Sequence, residues 1–204
     1  HGGGQDLVFP HHENEMAQST CAHQGAPYCK TWVHNGFVTV EGRKMSKSLG
    51  NIILTRDLLA QAPGEAIRLA LLGAHYRQPL DWNAATLKQA KRSLDRLYNL
   101  LGTLADVEPK KPNNNQIEAA LFEDLNTPAA LAELHLVAKH LQNTRDTTEQ
   151  ARLKGHLLEG AAALGLLENE PAKWFFAAVP DSIEKQEIEK LIDLRNRARE
   201  RQDF

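Results

Sequence analysis

The sequence predicts an α/β segment followed by an all-α segment. Residues 1 to about 57 are rich in Gly and His and contain short β-like runs such as residues 37–40. From about residue 58 onward, Ala and Leu recur at spacings of three and four, which is typical of helices. With 204 residues, the chain is long enough to bury a sizeable core, either as one large domain or as two smaller ones.

The composition excludes several classes of protein. Charged residues make up 25%, as in ordinary globular chains, so neither a disordered nor a fibrous protein fits. No apolar run is long enough to span a membrane. The net charge of −2 argues against a general nucleic-acid coat but leaves a local basic face open. Cys21 and Cys29 do not make a disulfide framework, which favours a reducing compartment such as the cytoplasm.

The opening "HGGGQD" is a candidate ligand-binding turn. Three consecutive glycines, Gly2, Gly3 and Gly4, can adopt positive φ and bring the backbone close to a ligand without Cβ atoms in the way. Asp6 could then accept hydrogen bonds from ribose hydroxyls. A tight surface turn is an equally good interpretation. Because the sequence does not begin with Met and opens directly on this turn, we expect it to be a fragment, and no secretory signal is visible in it.

The stretch "FPHHENEMAQS" predicts a helix that Pro10 opens. His11 and Glu15 are four residues apart and would share one face of that helix. Imidazole nitrogen and carboxylate oxygen are both ordinary zinc ligands, but two ligands make only half of a tetrahedral site. Pairing of His12 with Glu15 remains open, and so does a His/Glu pair that simply faces solvent.

The segment "GRKMSKSLGN" (42–51) predicts a flexible cationic loop with neither helix nor strand. Gly42 and Gly50 would let the loop swing, and Lys44 and Lys47 could bring two ammonium groups onto a polyphosphate. A solvated basic loop is the alternative. At average residue frequencies, "KMSKS" would occur by chance in roughly one chain in ten thousand of this length.

The remainder predicts helices. A stripe at alternating spacings of three and four predicts one long amphipathic helix in the segment 58–107. Its members are Leu87, Ala90, Leu94, Leu97, Leu101 and Leu104. Two prolines and three asparagines predict a linker at 108–116.

Three further helical patterns follow in 117–204. The first has Thr127 as the expected N-cap and Pro128 at its first position. The second places one set of apolar residues on one side: Leu153, Leu157, Ala161 and Leu164. The third begins with a capping box formed by Asp181 and Glu184. It ends with four arginines, Arg195, Arg197, Arg199 and Arg201.

Taken together, these motifs resemble a known family. "KMSKS" is similar to the second signature of class I aminoacyl-tRNA synthetases, and its combination with "HGGGQDLVFPHHENEMAQS" resembles the cysteinyl-tRNA synthetases. The resemblance continues through residues 68–83 and 123–139. It implies that residues 1–57 are the C-terminal half of a Rossmann-like catalytic domain. Residues 58–107 would then form a stem, and 117–204 an incomplete helical domain that binds tRNA.

The resemblance also implies an activity. Such an enzyme is a cytoplasmic, monomeric cysteine–tRNA ligase with no membrane association, which forms cysteinyl-adenylate from ATP and cysteine and transfers the cysteine to tRNA(Cys). It uses Mg²⁺ with ATP and one zinc ion held by two cysteines, a histidine and a glutamate. His11 and Glu15 match the last two ligands, whereas Cys21 and Cys29 match neither cysteine.

Other roles follow from the same resemblance. His1 and Asp6 match the lining of the substrate and adenylate pocket, and the three glycines would lie against the adenylate. Lys47 matches a lysine that acts on ATP, with Lys44 as its companion. The first signature of class I synthetases and the zinc-binding cysteines are absent, so we expect the fragment alone to be inactive.

Two alternatives to this function stay open. A related ligase would pass cysteine to an amino-sugar acceptor, and a non-catalytic paralogue would only bind RNA. The arginines in 195–201 could contact tRNA phosphates, or they could simply complement the C-terminus of a solvated helix.

Overall fold

The computed structural model describes residues 1–176, 190–192, 194, 195 and 197. The chain divides into two compact units, 1–168 and 169–204. In the second unit, the described residues include the short helix α8 (Pro171–Phe176). Within the described part of the chain, no helix has the length and apolar character that crossing a membrane requires.

The chain begins with a βαβ unit. Strand β1 (Gly2–Gly4) pairs in parallel with β2 (Val33–Asn35), and helix α1 (Glu13–Ala22) lies between them in the sequence. The predicted glycine turn is therefore wrong, because none of these glycines has positive φ. They are needed for close packing instead, since a Cβ on Gly3 would lie 3.0 Å from Cε1 of His12.

A second, three-stranded sheet follows. Strand β3 (Val38–Val40) pairs antiparallel with β4 (Arg43–Lys44) and parallel with β5 (Leu80–Trp82). The β-like run at 37–40 is confirmed. The expectation that 42–51 contains no strand is wrong at Arg43–Lys44. Strand β5 lies in a stretch that was predicted to be helical, and three residues are too few to create a periodic signal.

Three helices surround β5 in the sequence: α2 (Thr55–Leu59), α3 (Gly64–Leu72) and α4 (Ala84–Thr103). Asn83 caps α4 by accepting a hydrogen bond from the Thr86 N–H (2.9 Å). The predicted stripe is confirmed as the core-facing side of α4. Leu87 is half-buried and the other five members are buried: Ala90, Leu94, Leu97, Leu101 and Leu104.

The helical segment contains α5 (Gln116–Phe122), α6 (Thr127–Asn143) and α7 (Thr147–Ala163). Helix α5 was not predicted. Asn115, assigned to the linker, is buried and caps α5 by accepting a hydrogen bond from the Ile117 N–H (3.0 Å). The N-cap predicted at Thr127 is also wrong by one residue, because Asn126 accepts the hydrogen bond from the Ala129 N–H (3.1 Å).

The apolar side predicted for α7 is confirmed, because all four residues are buried: Leu153, Leu157, Ala161 and Leu164. The capping box at Asp181 and Glu184 lies outside the described residues, as do Arg199 and Arg201. Arg195 and Arg197 are exposed helical residues.

Candidate functional site

The carboxylate of Glu15 lies between two imidazoles where β1 meets α1. His1 Nε2 is 3.0 Å from Glu15 Oε2, and His11 Nε2 is 3.4 Å from Glu15 Oε1. Although His1 is close, Oε2 is buried and receives no aligned hydrogen bond from the described residues. A buried carboxylate oxygen without a donor is unfavourable unless another group, such as a cation, satisfies it.

The turn before α1 determines which histidine faces outward. Val8–His12 form a π-helical turn that is kinked at Phe9, whose backbone is extended (φ −137°, ψ 135°). The backbone is helical from Pro10 onward and continues directly into α1 (Glu13–Ala22), so the helix start predicted at Pro10 is confirmed. The His11 side chain is 59% exposed, whereas His12 is only 4% exposed and its Nδ1 lies 2.9 Å from Nε2 of His34.

Aromatic rings close one side of this cluster. The ring of His1 lies 5.0 Å from that of Tyr28 and 5.1 Å from that of Trp32, and Trp32 stacks on His34. Desolvation and the neighbouring Glu15 carboxylate raise the pKa of Tyr28. Sequence reasoning missed these rings, because only the pairing of β1 with β2 brings residues 28–34 beside His1.

The donor set suits a zinc ion. One nitrogen each from His1 and His12 and one oxygen from Glu15 lie within 4.8 Å of one another, and His11 approaches the other oxygen of Glu15. Imidazole is a borderline-soft ligand and carboxylate a hard one, and Zn²⁺ binds both. The structure thus brings the predicted ligands His11 and Glu15 together and adds His1, which was assigned to the substrate pocket, to the same cluster. Cys21 is exposed and Cys29 half-buried, and neither belongs to this cluster.

The cationic loop lies next to the second carboxylate of the site. Lys44 Nζ is 3.5 Å from Asp6 Oδ2 and 4.8 Å from the centre of the Phe37 ring. Both partners are largely exposed, so solvent weakens the attraction between them. Lys47 is exposed and forms no ion pair with a described carboxylate. The structure therefore places Lys44, but not Lys47, beside Asp6.

Two side chains that sequence reasoning missed hold this loop. Asn51 accepts a hydrogen bond from the Ser46 N–H (2.9 Å) and donates to the Lys44 carbonyl (3.2 Å). At the other end of the loop, Asp81 Oδ1 accepts the Gly42 N–H and the Thr39 hydroxyl, both at 2.7 Å. These bonds, that of Gly42 above all, lower the pKa of Asp81.

The two loop glycines occupy positions that favour glycine. Gly42 (φ 74°) and Gly50 (φ 65°) are in the left-handed region, where a side chain would be strained.

Hydrogen bonds to Asp124 link the helical segment to the loop at Tyr76 and Arg77. Asp124, in the turn between α5 and α6, accepts hydrogen bonds from Arg77 Nε (2.7 Å) and the Tyr76 hydroxyl (2.7 Å). The bond from Arg77, followed by that from Tyr76, lowers the pKa of Asp124 to about 2. The loop that carries Tyr76 and Arg77 also contacts the N-terminal α/β segment. Gln5 Nε2 donates a hydrogen bond to the Arg77 carbonyl (3.1 Å), and the Gly36 N–H donates one to the Tyr76 carbonyl (2.7 Å).

Family models match most of the chain. The model for tRNA synthetases class I (C) catalytic domain matches residues 1–92, and the DALR domain model matches residues 116–168. The first match extends past residue 57 and includes β5, which pairs with β3.

Curated relatives match the whole chain. A cysteine–tRNA ligase from Parvibaculum lavamentivorans is 54% identical over 100% of this chain and 44% of its own length. One from Xanthomonas campestris pv. campestris is 51% identical over the same shares. The chain thus spans less than half the length of these relatives.

Solved structures agree on the fold. The LeuRS–tRNA–LeuAMS complex of Agrobacterium radiobacter K84 superposes with a TM-score of 0.62 at 19% identity, over 89% of this chain and 27% of that one. Mycobacterium tuberculosis methionyl-tRNA synthetase with methionyl-adenylate gives a TM-score of 0.51 at 18% identity, over 86% of this chain and 43% of that one. The chain belongs to the cysteinyl-tRNA synthetase family, and it carries part of a class I catalytic domain followed by a DALR domain.

Proposed function

We propose that this chain is the portion of a cysteine–tRNA ligase that recognises the cysteine thiol and neutralises the phosphates of ATP. The observation that carries the proposal is the Glu15 carboxylate, whose buried Oε2 lies 3.0 Å from His1 Nε2 and whose Oε1 lies 3.4 Å from His11 Nε2. The names of the relatives, cysteine–tRNA ligases, support cysteine and tRNA(Cys) as substrates, and we propose ATP as the third substrate, with Mg²⁺ bound to it. We further propose that the enzyme is a cytoplasmic monomer.

The thiol is the part of the substrate that the enzyme must distinguish from the hydroxyl of serine. Cysteine and serine differ by one atom, and an apolar pocket separates such isosteres by only about 1–3 kcal/mol. A zinc ion supplies a bond to thiolate sulfur that a hydroxyl does not match. His11 and Glu15 would hold it with two cysteines from outside these 204 residues. His1 would orient Glu15 through the 3.0 Å contact between Nε2 and Oε2.

The remaining residues would bind the nucleotide. The backbone of the strand Gly2–Gly4 would lie against the adenosine, and the Asp6 carboxylate is the group that would accept hydrogen bonds from the ribose hydroxyls. The contact between Lys44 and Asp6 would open when ATP binds, because the ribose and the phosphates offer each partner a new one. Lys44 and Lys47 would then stabilise the charge that develops on pyrophosphate as adenylate forms.

The test uses a protein in which this chain is joined to the missing upstream part of the catalytic domain. We expect cysteine-dependent exchange of pyrophosphate into ATP, and Lys47→Ala should lower the first-order rate of adenylate formation with little change in the affinity for cysteine. Lys173→Ala is the control, because Lys173 pairs with Glu170 in the second unit. Exchange driven equally well by serine, or a normal rate in Lys47→Ala, would contradict the proposal. The 204-residue chain alone should show no exchange.

A further inference from the structure

The turn between α5 and α6 has an unfavourable backbone conformation. Asp124 (φ 55°) and Leu125 (φ 53°) are consecutive residues in the left-handed region, and neither is a glycine. Residues with a Cβ keep such a conformation where the contacts around them require it. Burial of Leu125 does not supply that requirement, because its side chain is 59% exposed. The contacts that the turn makes are those of the Asp124 carboxylate.

Three hydrogen bonds fix this carboxylate. Arg77 donates from Nε to Oδ2 (2.7 Å) and from Nη2 to Oδ1 (3.1 Å), and the Tyr76 hydroxyl donates to Oδ1 (2.7 Å). The Arg77 guanidinium also lies 5.0 Å from the centre of the Tyr76 ring. A two-pronged contact between arginine and carboxylate is geometrically specific, so it fixes the direction of two consecutive side chains although both ends of the ion pair are about half exposed.

The main chain of the same loop holds the ends of both strands of the first sheet. The Tyr76 carbonyl accepts the N–H of Gly36, which follows β2, and the Arg77 carbonyl accepts the side-chain amide of Gln5, which follows β1. A Cβ on Gly36 would overlap the Gln78 carbonyl, so the loop lies directly against the strand end. Because β1 and β2 are parallel, both ends lie at one edge of the sheet, which is where open α/β sheets bind ligands.

That edge carries the residues assigned above to the nucleotide. Asp6 follows Gln5, and Phe37 follows Gly36. Lys44 contacts both, because its Nζ lies 3.5 Å from Asp6 Oδ2 and 4.8 Å from the centre of the Phe37 ring. A movement of the strand ends would therefore displace the Asp6 carboxylate and the ring beneath Lys44 together.

We propose that Asp124 is a positioning residue for the adenylation site, and that it fixes the sheet edge that presents Asp6 to ATP by holding Tyr76 and Arg77. Asp124 would thereby connect the DALR domain to the nucleotide site without touching a substrate. The inference rests on the function proposed above, because it takes Asp6 as the acceptor of the ribose hydroxyls. None of the described hydrogen bonds of the loop 75–79 reaches His11 or Glu15, so cysteine recognition should not depend on Asp124.

The first test measures steady-state pyrophosphate exchange in the protein that includes the upstream part of the catalytic domain. Asp124→Asn keeps a residue that tolerates the left-handed backbone but removes the charge and one of the two acceptor oxygens. Loss of a ground-state contact to the ribose should raise the KM for ATP roughly tenfold, while kcat and the KM for cysteine change by less than about twofold. A defect of folding alone would lower the active fraction, and therefore kcat, and would leave both KM values unchanged.

Two further variants test the route from Asp124 to the site. Arg77→Lys keeps the charge but not the two-pronged contact, and it should raise the KM for ATP as Asp124→Asn does. The double variant should be no worse than the more impaired single variant, because both substitutions break the same contact. Asp146→Asn is the matched control, since asparagine also caps α7 and Asp146 has the same residue type in the same domain. It should behave as the wild type.

The second test does not depend on catalysis. Hydrogen exchange of the 204-residue chain, followed by NMR, reports whether the Gly36 N–H stays bonded to the Tyr76 carbonyl. The Gly36 amide should exchange roughly tenfold faster in Asp124→Asn than in the wild type and at the wild-type rate in Asp146→Asn. Circular dichroism confirms that each variant is folded.

Three results would overturn the inference: an unchanged KM for ATP in Asp124→Asn, an equal rise in Asp146→Asn, or unchanged exchange of the Gly36 amide. A loss of kcat with both KM values unchanged would also overturn it and would leave Asp124 with a role in stability alone. If the wild-type protein forms no adenylate but the Gly36 amide responds to Asp124→Asn, the proposed function is rejected, whereas the connection between Asp124 and the sheet edge stands.

Discussion

Gly160 is a tightly packed position in the DALR domain. It lies in α7 against α5, and a Cβ at this position would lie 2.5 Å from Cδ1, 2.7 Å from Cβ and 3.0 Å from Cγ1 of Ile117. Ile117 is 0% exposed and cannot turn outward. We therefore expect Gly160→Ala to force α5 away from α7.

The magnitude is a balance of two effects. Overpacking of this kind costs about 1–3 kcal/mol, and contacts this short belong near the top of that range. The higher helix propensity of alanine offsets this cost by up to about 1 kcal/mol of unfolding free energy. The net loss should be about 1–2 kcal/mol of unfolding free energy, which lowers the Tm of a chain this size by roughly 3–7 °C.

Thermal and urea unfolding, followed by circular dichroism, measure this loss. Ala162→Gly, at an exposed site of the same helix, calibrates the propensity effect. Ile117→Val removes the closest atom, so the double variant Gly160→Ala/Ile117→Val should be less destabilised than the sum of the two single variants. Strict additivity, or a Gly160→Ala variant more stable than the wild type, would refute the packing argument.

Two further predictions concern the carboxylates that hold loops. Asp81→Ala removes the acceptor of the Gly42 N–H, so limited proteolysis within 42–51 should become faster than in the wild type; an unchanged cleavage rate would show that Asp81 does not hold the loop. The pKa of Asp124 is lowered to about 2 from an ordinary 3.8, so its contribution to stability is complete above about pH 4 and is lost as the pH falls toward 2. Asp124→Asn should therefore unfold with a smaller pH dependence in that window, and an identical acid profile would contradict the role of its contacts with Arg77 and Tyr76.

The sequence predicted the elements whose signals are local and long. The stripe from Ala90 to Leu104 and the apolar side of α7 each repeat over several turns, so periodicity alone identified them. The close approach of His11 to Glu15 also followed from spacing, even though the turn that carries His11 precedes α1.

What the sequence could not supply depends on contacts distant along the chain. His1 lies beside Glu15, and Trp32 comes to lie against His1 because β1 and β2 pair in parallel. Asp81 holds the cationic loop from 39 residues away. The three glycines at the start are packing positions, and Gly3 lies against the buried His12, whereas the run of glycines alone had predicted a turn.

The central claim is that Glu15 binds a zinc ion. Calorimetry tests this claim most directly, by measuring the affinities for zinc and for cysteine in the protein that includes the upstream part of the catalytic domain. Glu15→Gln and His11→Ala should each lower zinc affinity at least about tenfold and weaken cysteine binding in parallel, while ATP binding is unchanged. His23→Ala, an exposed histidine at the end of α1, should behave as the wild type. Full zinc occupancy with unaltered cysteine affinity in both ligand variants would contradict the account.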